Sequence, residues 1–247
     1  MALVKYLRDF YRKSERAWHQ GWAAWRRSWQ QDVDAPLSRF FAWFDMAFVD
    51  HGLFRYFFAN RYCVSDKLER ANHPTPYGVR RAAKRGIKTI INLRGETGIG
   101  SVLLSRAACE REGIKLVNIG ARSRGLFSAK EILKVKKMFD EVEYPAMMHC
   151  KSGADRAGIM SALYLIMVEG RPVSEAKKQL HWRFGHVRQS ATGILDYFLE
   201  SYERANNEQP IDFLEWVETK YDPAAIQKEF KAKGWANLLV NRLLRRE

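Results

Sequence analysis

Cysteine is scarce in this chain of 247 residues, and long apolar runs are absent from it. Three cysteines, none of them in a Cys-x-x-Cys pair, cannot form a disulfide framework, which indicates a reducing compartment. No uncharged apolar stretch approaches the roughly 20 residues that span a bilayer, since the aromatic run at 40–58 is interrupted by Asp45, Asp50 and Arg55. The amino terminus acquires charges too early for the apolar region of a signal peptide. We therefore expect a cytoplasmic protein, either soluble or lying peripherally on the inner face of the membrane.

Acidic residues are also few. The chain has 28 of them against 42 basic residues, which gives a formal charge of +14 and a pI near 9.8. Such a surplus favours anionic partners, whether nucleic acid, an acidic lipid surface or phosphorylated ligands, and does not choose among them. Because 47% of the residues are hydrophobic, a chain of this length can bury a full core without disulfides or metals.

The first 58 residues are rich in tryptophan and arginine and predict a helical extension over 1–58. Between 3 and 30, apolar residues recur at spacings of three, four or seven, which is typical of one amphipathic helix. This stripe contains Leu3, Leu7, Phe10, Tyr11, Trp18, Trp22, Trp25 and Trp29. Pro36 suits the first turn of a second, aromatic-rich helix over 37–49. The stripe has two interpretations: residues 3–30 lie on an anionic membrane surface, or they pack on the rest of the protein or on a second copy.

The middle of the chain, 59–205, alternates short apolar runs with helical patterns. The runs 87–93, 114–119 and 145–149 predict strands, and 101–112 and 128–141 predict helices, the second opened by a capping box of Ser128 and Glu131. This alternation predicts an α/β fold, a parallel sheet covered by helices on both sides in three layers. A basic amphipathic segment at 227–246 predicts a helical carboxy-terminal extension over 206–247.

The segment 149–156 reads His-Cys-Lys-Ser-Gly-Ala-Asp-Arg and lies between the third predicted strand and a strongly helical segment. At such a place, unpaired backbone N–H groups and the positive end of the helix dipole converge on an anion. Gly153 permits the amides to turn inward, and Arg156 offers a planar fork to two phosphate oxygens. The same field favours the thiolate of Cys150, which is then a nucleophile toward a bound phosphoryl group. A buried cysteine near a surface arginine by chance is the alternative, which the full arrangement disfavours.

This loop resembles the signature of the Cys-x5-Arg protein tyrosine and dual-specificity phosphatases. Further segments, at 69–74, 86–96, 113–117 and 157–158, resemble the atypical dual-specificity branch, so that the resemblance covers roughly 60–200. It implies a phosphomonoesterase that uses neither metal nor organic cofactor. It also implies that Cys150 is the nucleophile and that Arg156 is the phosphate-binding arginine.

The position of the general acid in the sequence differs from the family pattern. Most relatives keep an aspartate on the loop that follows the strand corresponding to 114–119, whereas here the loop 120–127 contains no carboxylate. Resemblance to myotubularin-like lipid phosphatases and some bacterial tyrosine/phosphoinositide phosphatases assigns this role to Asp155, with helix capping or ion pairing as the alternative. Ala157 stands where many relatives have serine or threonine, so we expect slow turnover of the phospho-enzyme.

Substrate binding is assigned to the loop and to basic residues on the same side of the predicted sheet. These residues are Lys151, Ser152, Gly153, Ala154, Arg94, Arg122 and Arg124. Ordinary solvation of surface cations is the alternative for the arginines. Lysine after the nucleophile resembles phosphoinositide and phosphatidylglycerophosphate phosphatases. For Arg183 and His186, pairing with a helix carboxy terminus is favoured over an approach to the pocket.

The sequence therefore predicts a cysteine-dependent phosphatase that hydrolyses phosphomonoesters through a thiophosphate on Cys150. Two substrate classes remain possible: phosphotyrosine or other phosphoproteins, and phospholipids. The alternative is a catalytically weak phosphatase fold that binds phosphorylated ligands. Nucleic acid is not expected, because the aromatic residues cluster in the terminal helix and not among the basic residues of the core. The oligomeric state is left open.

Overall fold

Five short strands form a sheet in the order β1-β2-β5-β3-β4. In the computed structural model, which describes residues 20–30 and 34–232, these strands are Tyr62–Cys63, Leu68–Ala71, Thr89–Asn92, Lys115–Asn118 and Ala146–His149, numbered β1 to β5 in chain order. β1 pairs antiparallel with β2, and the other neighbours are parallel. The predicted α/β architecture with a mainly parallel sheet is confirmed.

The three predicted strands match β3 and β4, which are shorter at both ends, and β5, which begins one residue later. β3 and β5 are buried along their whole length, as expected of parallel strands that helices cover on both faces. β1 and β2 were not predicted. β2 reads Leu-Glu-Arg-Ala, and its two charged residues in succession hide it from an analysis of apolar patterns.

Helices cover both faces of the sheet. Ile90 and Met147 pack with α4 (Pro76–Lys84) and α5 (Gly100–Glu112), whereas their neighbours Ile91 and Met148 face the opposite layer. That layer contains α6 (Ala129–Glu141), α7 (Asp155–Met167), α9 (Ile194–Glu208) and α10 (Phe213–Thr219). The short helix α8 is Val173–Ala176, single 3₁₀ turns are Lys177–Gln179, Trp182–Phe184 and Ala191–Gly193, and residues 223–232 are helical. The capping box at Ser128 and Glu131 is confirmed.

The amino-terminal segment packs on the core. Residues 20–27 form α1, Pro36–Phe44 form α2, a π-helical turn covers Asp45–Val49, and Leu53–Phe57 form α3. Trp29 is only 3% exposed, and Trp25 makes edge contacts with Trp29 and Phe41. For these two tryptophans the packing interpretation is therefore confirmed. Residues 3–19 of the predicted helix, and 233–246 of the predicted carboxy-terminal one, lie outside the described residues.

A buried carboxylate joins α1, α2 and α5. Asp45 accepts hydrogen bonds from Arg26 at 2.9 and 2.8 Å and from the Gly100 N–H at 2.7 Å. A Cβ atom on Gly100 would lie 2.3 Å from the Ala42 carbonyl oxygen, so glycine permits this close approach. Residues 36–49 thus share a core with the predicted catalytic region, and the domain boundary after residue 58 stays a prediction. None of the helices in the described ranges combines the length and apolarity needed to cross a bilayer.

Candidate active site

The loop that begins at Cys150 connects the end of β5 to the first turn of α7. The Gly153 N–H donates to the Cys150 sulfur at 3.2 Å, and Gly153 has a φ of +78°. A Cβ atom there would lie 2.8 Å from the Asn72 nitrogen and 2.9 Å from the Asn60 Nδ2. Both the left-handed conformation and the lack of space therefore require glycine. The loop curls around the sulfur of Cys150, a residue that is almost completely buried.

A buried arginine holds this loop from outside. Arg70, in β2, donates to the carbonyl oxygens of Gly153 at 2.7 Å and Ala154 at 2.9 Å, and also to that of Gln179 at 2.6 Å. Burial lowers the pKa of Arg70 to about 10, so it is still a cation at neutral pH. Because Arg70 binds carbonyl oxygens, it turns them away from the centre of the loop and leaves the amide groups to bind an anion.

Asn60 supports the loop from the same side. Its Nδ2 donates to the Ser152 carbonyl oxygen at 2.7 Å and to the Phe184 carbonyl oxygen at 2.9 Å. Sequence reasoning missed both Asn60 and Arg70. Arg70 lies in the segment 69–74 that carries part of the family resemblance, but the resemblance gave this arginine no role.

Asp155 is joined to a second carboxylate through a histidine. The Nδ1 of His186 lies 2.7 Å from Asp155 Oδ1, and its Nε2 lies 2.7 Å from Asp196 Oδ2. Burial by itself would lower the pKa of His186, but hydrogen bonds and charges from Asp155 and Asp196 outweigh it and raise the pKa to about 9. At neutral pH the ring is therefore an imidazolium that donates to both carboxylates.

The sequence-based interpretation of His186 was wrong. It was expected to pair with a helix carboxy terminus, whereas it lies in the loop after the 3₁₀ turn Trp182–Phe184 and bridges Asp155 and Asp196. Arg156, in the first turn of α7, is partly exposed, and its Nη1 lies 3.5 Å from the Leu93 carbonyl oxygen. Its guanidinium is not held by a carboxylate within the described residues.

The comparison with protein families decides the membership of this chain. Residues 65–193, just over half of the chain, match the family described as DSP-PTPase phosphatase fused to NAD+ kinase. The chain belongs to this phosphatase family. The family match confirms the resemblance that the loop and its flanking strands indicated.

Two curated relatives are dual specificity protein phosphatases named TpbA, from Pseudomonas aeruginosa. The protein of strain PAO1 is 26% identical over 129 residues, which are 51% of this chain and 56% of the relative. The protein of strain UCBPP-PA14 is 27% identical over 113 residues, 45% of this chain and 48% of the relative. The chain thus spans about half the length of the curated relatives it matches.

Solved structures similar to this chain include two phosphatases. The crystal structure of P. aeruginosa TpbA is 23% identical, with a TM-score of 0.48, over 58% of this chain and 84% of that one. The core catalytic domain of the PP-IP phosphatase SIW14 from S. cerevisiae is 16% identical, with a TM-score of 0.47, over 63% and 98%.

In this member of the phosphatase family, a buried cluster of charges lies next to the loop. Asp50 accepts from Arg94 at 2.7 and 2.8 Å, from Arg55 at 2.9 Å and from the Ser101 hydroxyl at 2.5 Å, and Lys151 Nζ lies 3.4 Å away. Burial alone would raise the pKa of Asp50, but the hydrogen bond and charge of Arg94 and the other donors hold it far below its usual range. Asp50 was missed because it lies in the segment predicted as an extension.

Two histidines beneath the loop are buried and neutral. Burial lowers the pKa of His149 to about 3 and holds that of His73 well below its usual value. Their rings are in edge contact at 4.5 Å, and the Nε2 of His73 lies 2.9 Å from the Ser101 carbonyl oxygen. These rings support the loop as uncharged packing groups.

The structure brings only part of the predicted substrate-binding set together. A cavity of about 500 Å³ adjoins the loop at Lys151, Ser152 and Ala154. Its other described lining residues are Asp50, His51, Arg55, Phe58, Asn60, Asn72, Trp182, Arg183, Phe184 and Gly185. Gly153 is buried beneath it.

The three predicted arginines lie elsewhere. Arg94 is buried and bound to Asp50, which leaves it a structural partner and not an exposed cation. Arg122 donates to Glu131 at 2.7 Å and to the Leu126 carbonyl oxygen at 3.0 Å, and Arg124 is exposed on the same loop. An arginine outside the predicted set, Arg183, lines the cavity together with Lys151 and Arg55 and stacks 4.4 Å above the Phe184 ring.

Proposed function

We propose that this chain is a cysteine-dependent phosphatase that hydrolyses phosphomonoesters through a covalent thiophosphate on Cys150. The observation that carries the proposal is the loop itself: its carbonyl oxygens are bound from outside by Arg70 and Asn60, and a backbone N–H points at the Cys150 sulfur. Such a ring of amides at a helix amino terminus binds a phosphate dianion. The name of the TpbA relatives supports the same class of reaction.

In the first step the Cys150 thiolate attacks phosphorus, an S–P bond forms and the ester P–O bond breaks. Arg156 and the loop amides bind the non-bridging oxygens. Asp155, which in the substrate complex carries a proton on the oxygen that His186 does not bind, gives that proton to the leaving oxygen. The adjacent His186 imidazolium attracts the negative charge that Asp155 gains as this proton departs. His186 is thus a positioning residue that acts through Asp155.

In the second step a water molecule attacks phosphorus, the S–P bond breaks, and inorganic phosphate and the thiolate are released. Asp155 takes up a proton from this water. Ala157 lacks a hydroxyl beside Arg156 that could bond to the departing thiolate. We therefore assign the slow step to hydrolysis of the thiophosphate.

Trapping of the intermediate tests this proposal. Mixing the protein with excess 4-nitrophenyl phosphate should release one equivalent of nitrophenol per enzyme rapidly, followed by a slower steady rate. Acid quenching during that burst, with mass spectrometry of the peptide that contains Cys150, should show one added phosphoryl group. Phosphate release without covalent phosphate would show direct attack by water, and ligand retention without any release would establish a phospho-ligand binding protein.

Replacement of Asp155 by asparagine tests the proposed acid. We expect kcat/KM for phenyl phosphate, which reports the first step, to fall about 100-fold, because a poor leaving group needs the proton. The rate of nitrophenol release in the burst with 4-nitrophenyl phosphate should change far less, because that alcohol leaves as an anion. His186→Gln should produce the same dependence on the leaving group to a smaller extent, with the exposed His181→Gln as control. Equal losses for both esters would contradict an acid role for Asp155.

The pH dependence separates positioning by His186 from mere packing. Its folded pKa of about 9 exceeds the unfolded value of about 6.5, so its contribution to stability is complete below about pH 6.5 and is lost as the pH rises through 9. A neutral ring donates to only one of the two carboxylates. Wild-type activity on phenyl phosphate should therefore decline near pH 9, and this step should be absent in His186→Gln.

A further inference from the structure

Large apolar side chains face solvent along α2 and the π-helical turn that continues it. Leu37, Phe40, Phe44 and Phe48 follow one another at spacings of three and four, and Phe40 and Phe48 are 62% and 60% exposed. The other side of the same helix is apolar as well, because Ala42 and Met46 are buried with Trp29 and Leu104. The helix has therefore satisfied its core contacts and still presents a second apolar stripe to water.

The exposed stripe continues to the cavity beside the loop. In the next helix Leu53 is exposed and Phe57 is 89% exposed, and they are followed by the exposed Phe58. Trp182, which is 78% exposed, lines the cavity together with Phe58. We call this surface the aromatic rim: Leu37, Phe40, Phe44, Phe48, Leu53, Phe57, Phe58 and Trp182.

Cations accompany the aromatic rim where it reaches the cavity. Lys151 and Arg183 line the cavity with Phe58 and Trp182 and are solvent accessible. The carboxylate in the same lining, Asp50, is buried and bound to Arg55 and Arg94. Exposed aromatic residues beside solvent-accessible positive charge, on a chain of formal charge +14, are complementary to a surface that is apolar inside and anionic at its boundary.

We propose that the aromatic rim lies in the interfacial layer of an anionic bilayer and thereby presents the Cys150 loop to phosphomonoesters carried on lipid headgroups. Its large side chains are 41–89% exposed, which suits insertion among headgroups better than the lining of a groove for a peptide. This inference deepens the proposed function by naming its substrate class. It moves the membrane contact from the tryptophan stripe, whose Trp29 is buried, to a different surface.

Vesicle binding of the full chain tests docking without requiring catalysis. Cys150→Ser protein is sedimented with vesicles of phosphatidylcholine alone and of phosphatidylcholine mixed with phosphatidylglycerol. We expect binding to the mixed vesicles that weakens as salt is added. The variant Phe40→Ser/Phe48→Ser/Phe57→Ser, which removes exposed rings outside the cavity, should bind about 30-fold less, since each half-buried ring contributes roughly a threefold effect. Leu133→Ser/Val168→Ser, which removes exposed apolar residues outside the rim, should bind as well as the parent.

Hydrolysis assays on a soluble ester and on a lipid distinguish the docking proposal from the proposed phosphatase activity. On the catalytic background, the triple variant should cleave 4-nitrophenyl phosphate normally and lose its advantage on a phosphomonoester lipid in vesicles. Failure of the parent to bind mixed vesicles, or equal binding by the triple variant, would overturn docking even if the soluble ester is cleaved. A dimer that the triple substitution dissociates would assign the rim to a second copy. Reduced affinity of the variant for a soluble phosphotyrosine peptide would assign it to protein substrates, and either result overturns the proposal.

Discussion

Replacement of Cys150 by serine is expected to lower kcat for phosphate release by at least about 10³-fold. A serine hydroxyl in place of the thiolate is protonated at neutral pH, and no histidine among the described residues hydrogen-bonds to the Cys150 side chain. His149 and His73 are buried with pKa values far below neutrality, and His186 is engaged by Asp155 and Asp196. The amides and Arg156 are unchanged, so the variant should still bind the phosphate ester.

The two other cysteines provide matched controls for this loss. Cys63 is exposed and Cys109 is buried, and burial raises the pKa of the Cys109 thiol to about 12. Cys63→Ser should leave kcat unchanged, and Cys109→Ser should affect stability and not the chemical step. Steady-state release of phosphate and equilibrium binding of the same ester together check the prediction. Full activity of Cys150→Ser would assign the nucleophile to another group.

Replacement of Asp50 by asparagine is expected to lower the free energy of unfolding by about 3–5 kcal/mol. The amide keeps the shape of the carboxylate but leaves the buried Arg55 and Arg94 without their counter-charge. The cost of an uncompensated buried charge exceeds that of a lost surface pair. Urea denaturation at neutral pH measures it as a shift of the midpoint.

The sign of the pH effect follows from the pKa of Asp50, which lies far below its usual range in the folded protein. Its stabilising contribution is therefore present above the unfolded value of about 3.9 and is lost only as the pH falls into strong acid. Asp140→Asn is the matched control, because Asp140 forms an exposed pair with Lys136 one helical turn away and should change stability by less than about 0.5 kcal/mol. Equal effects of the two substitutions would contradict a central role for Asp50.

Asp50 also shows what the composition of the amino-terminal segment does not record. Composition set residues 1–58 apart, since tryptophan, phenylalanine and arginine dominate them. Composition does not reveal which part of the core a helix packs against or which cation pairs with a carboxylate. Asp45 joins the Gly100 N–H, and Asp50 joins Arg94 across 44 residues, and such long-range pairing leaves no periodicity in the chain.

The loop was predictable because its chemistry is contiguous. Nucleophile, glycine, carboxylate and arginine lie within one eight-residue segment between a β-rich run and a helical one, and backbone geometry at that junction follows from local rules. The central strands were predictable for a related reason, since parallel strands covered on both faces read as continuous apolar runs. Features that depend only on the local backbone, such as this loop and the central strands, can therefore be predicted from the residues that form them.

The sequence by itself therefore determined the α/β class, the position of Cys150 and Arg156 at a strand–helix junction, and the family resemblance. Only the tertiary structure decided that Arg70 holds the loop carbonyls, that His186 bridges Asp155 and Asp196, and that Arg94 serves Asp50 instead of the cavity. These contacts join residues from 10 to 84 positions apart. Hydrogen bonds and ion pairs act over a few ångströms, so their partners are chosen by the packing of the strands and helices, which the order of residues along the chain does not state.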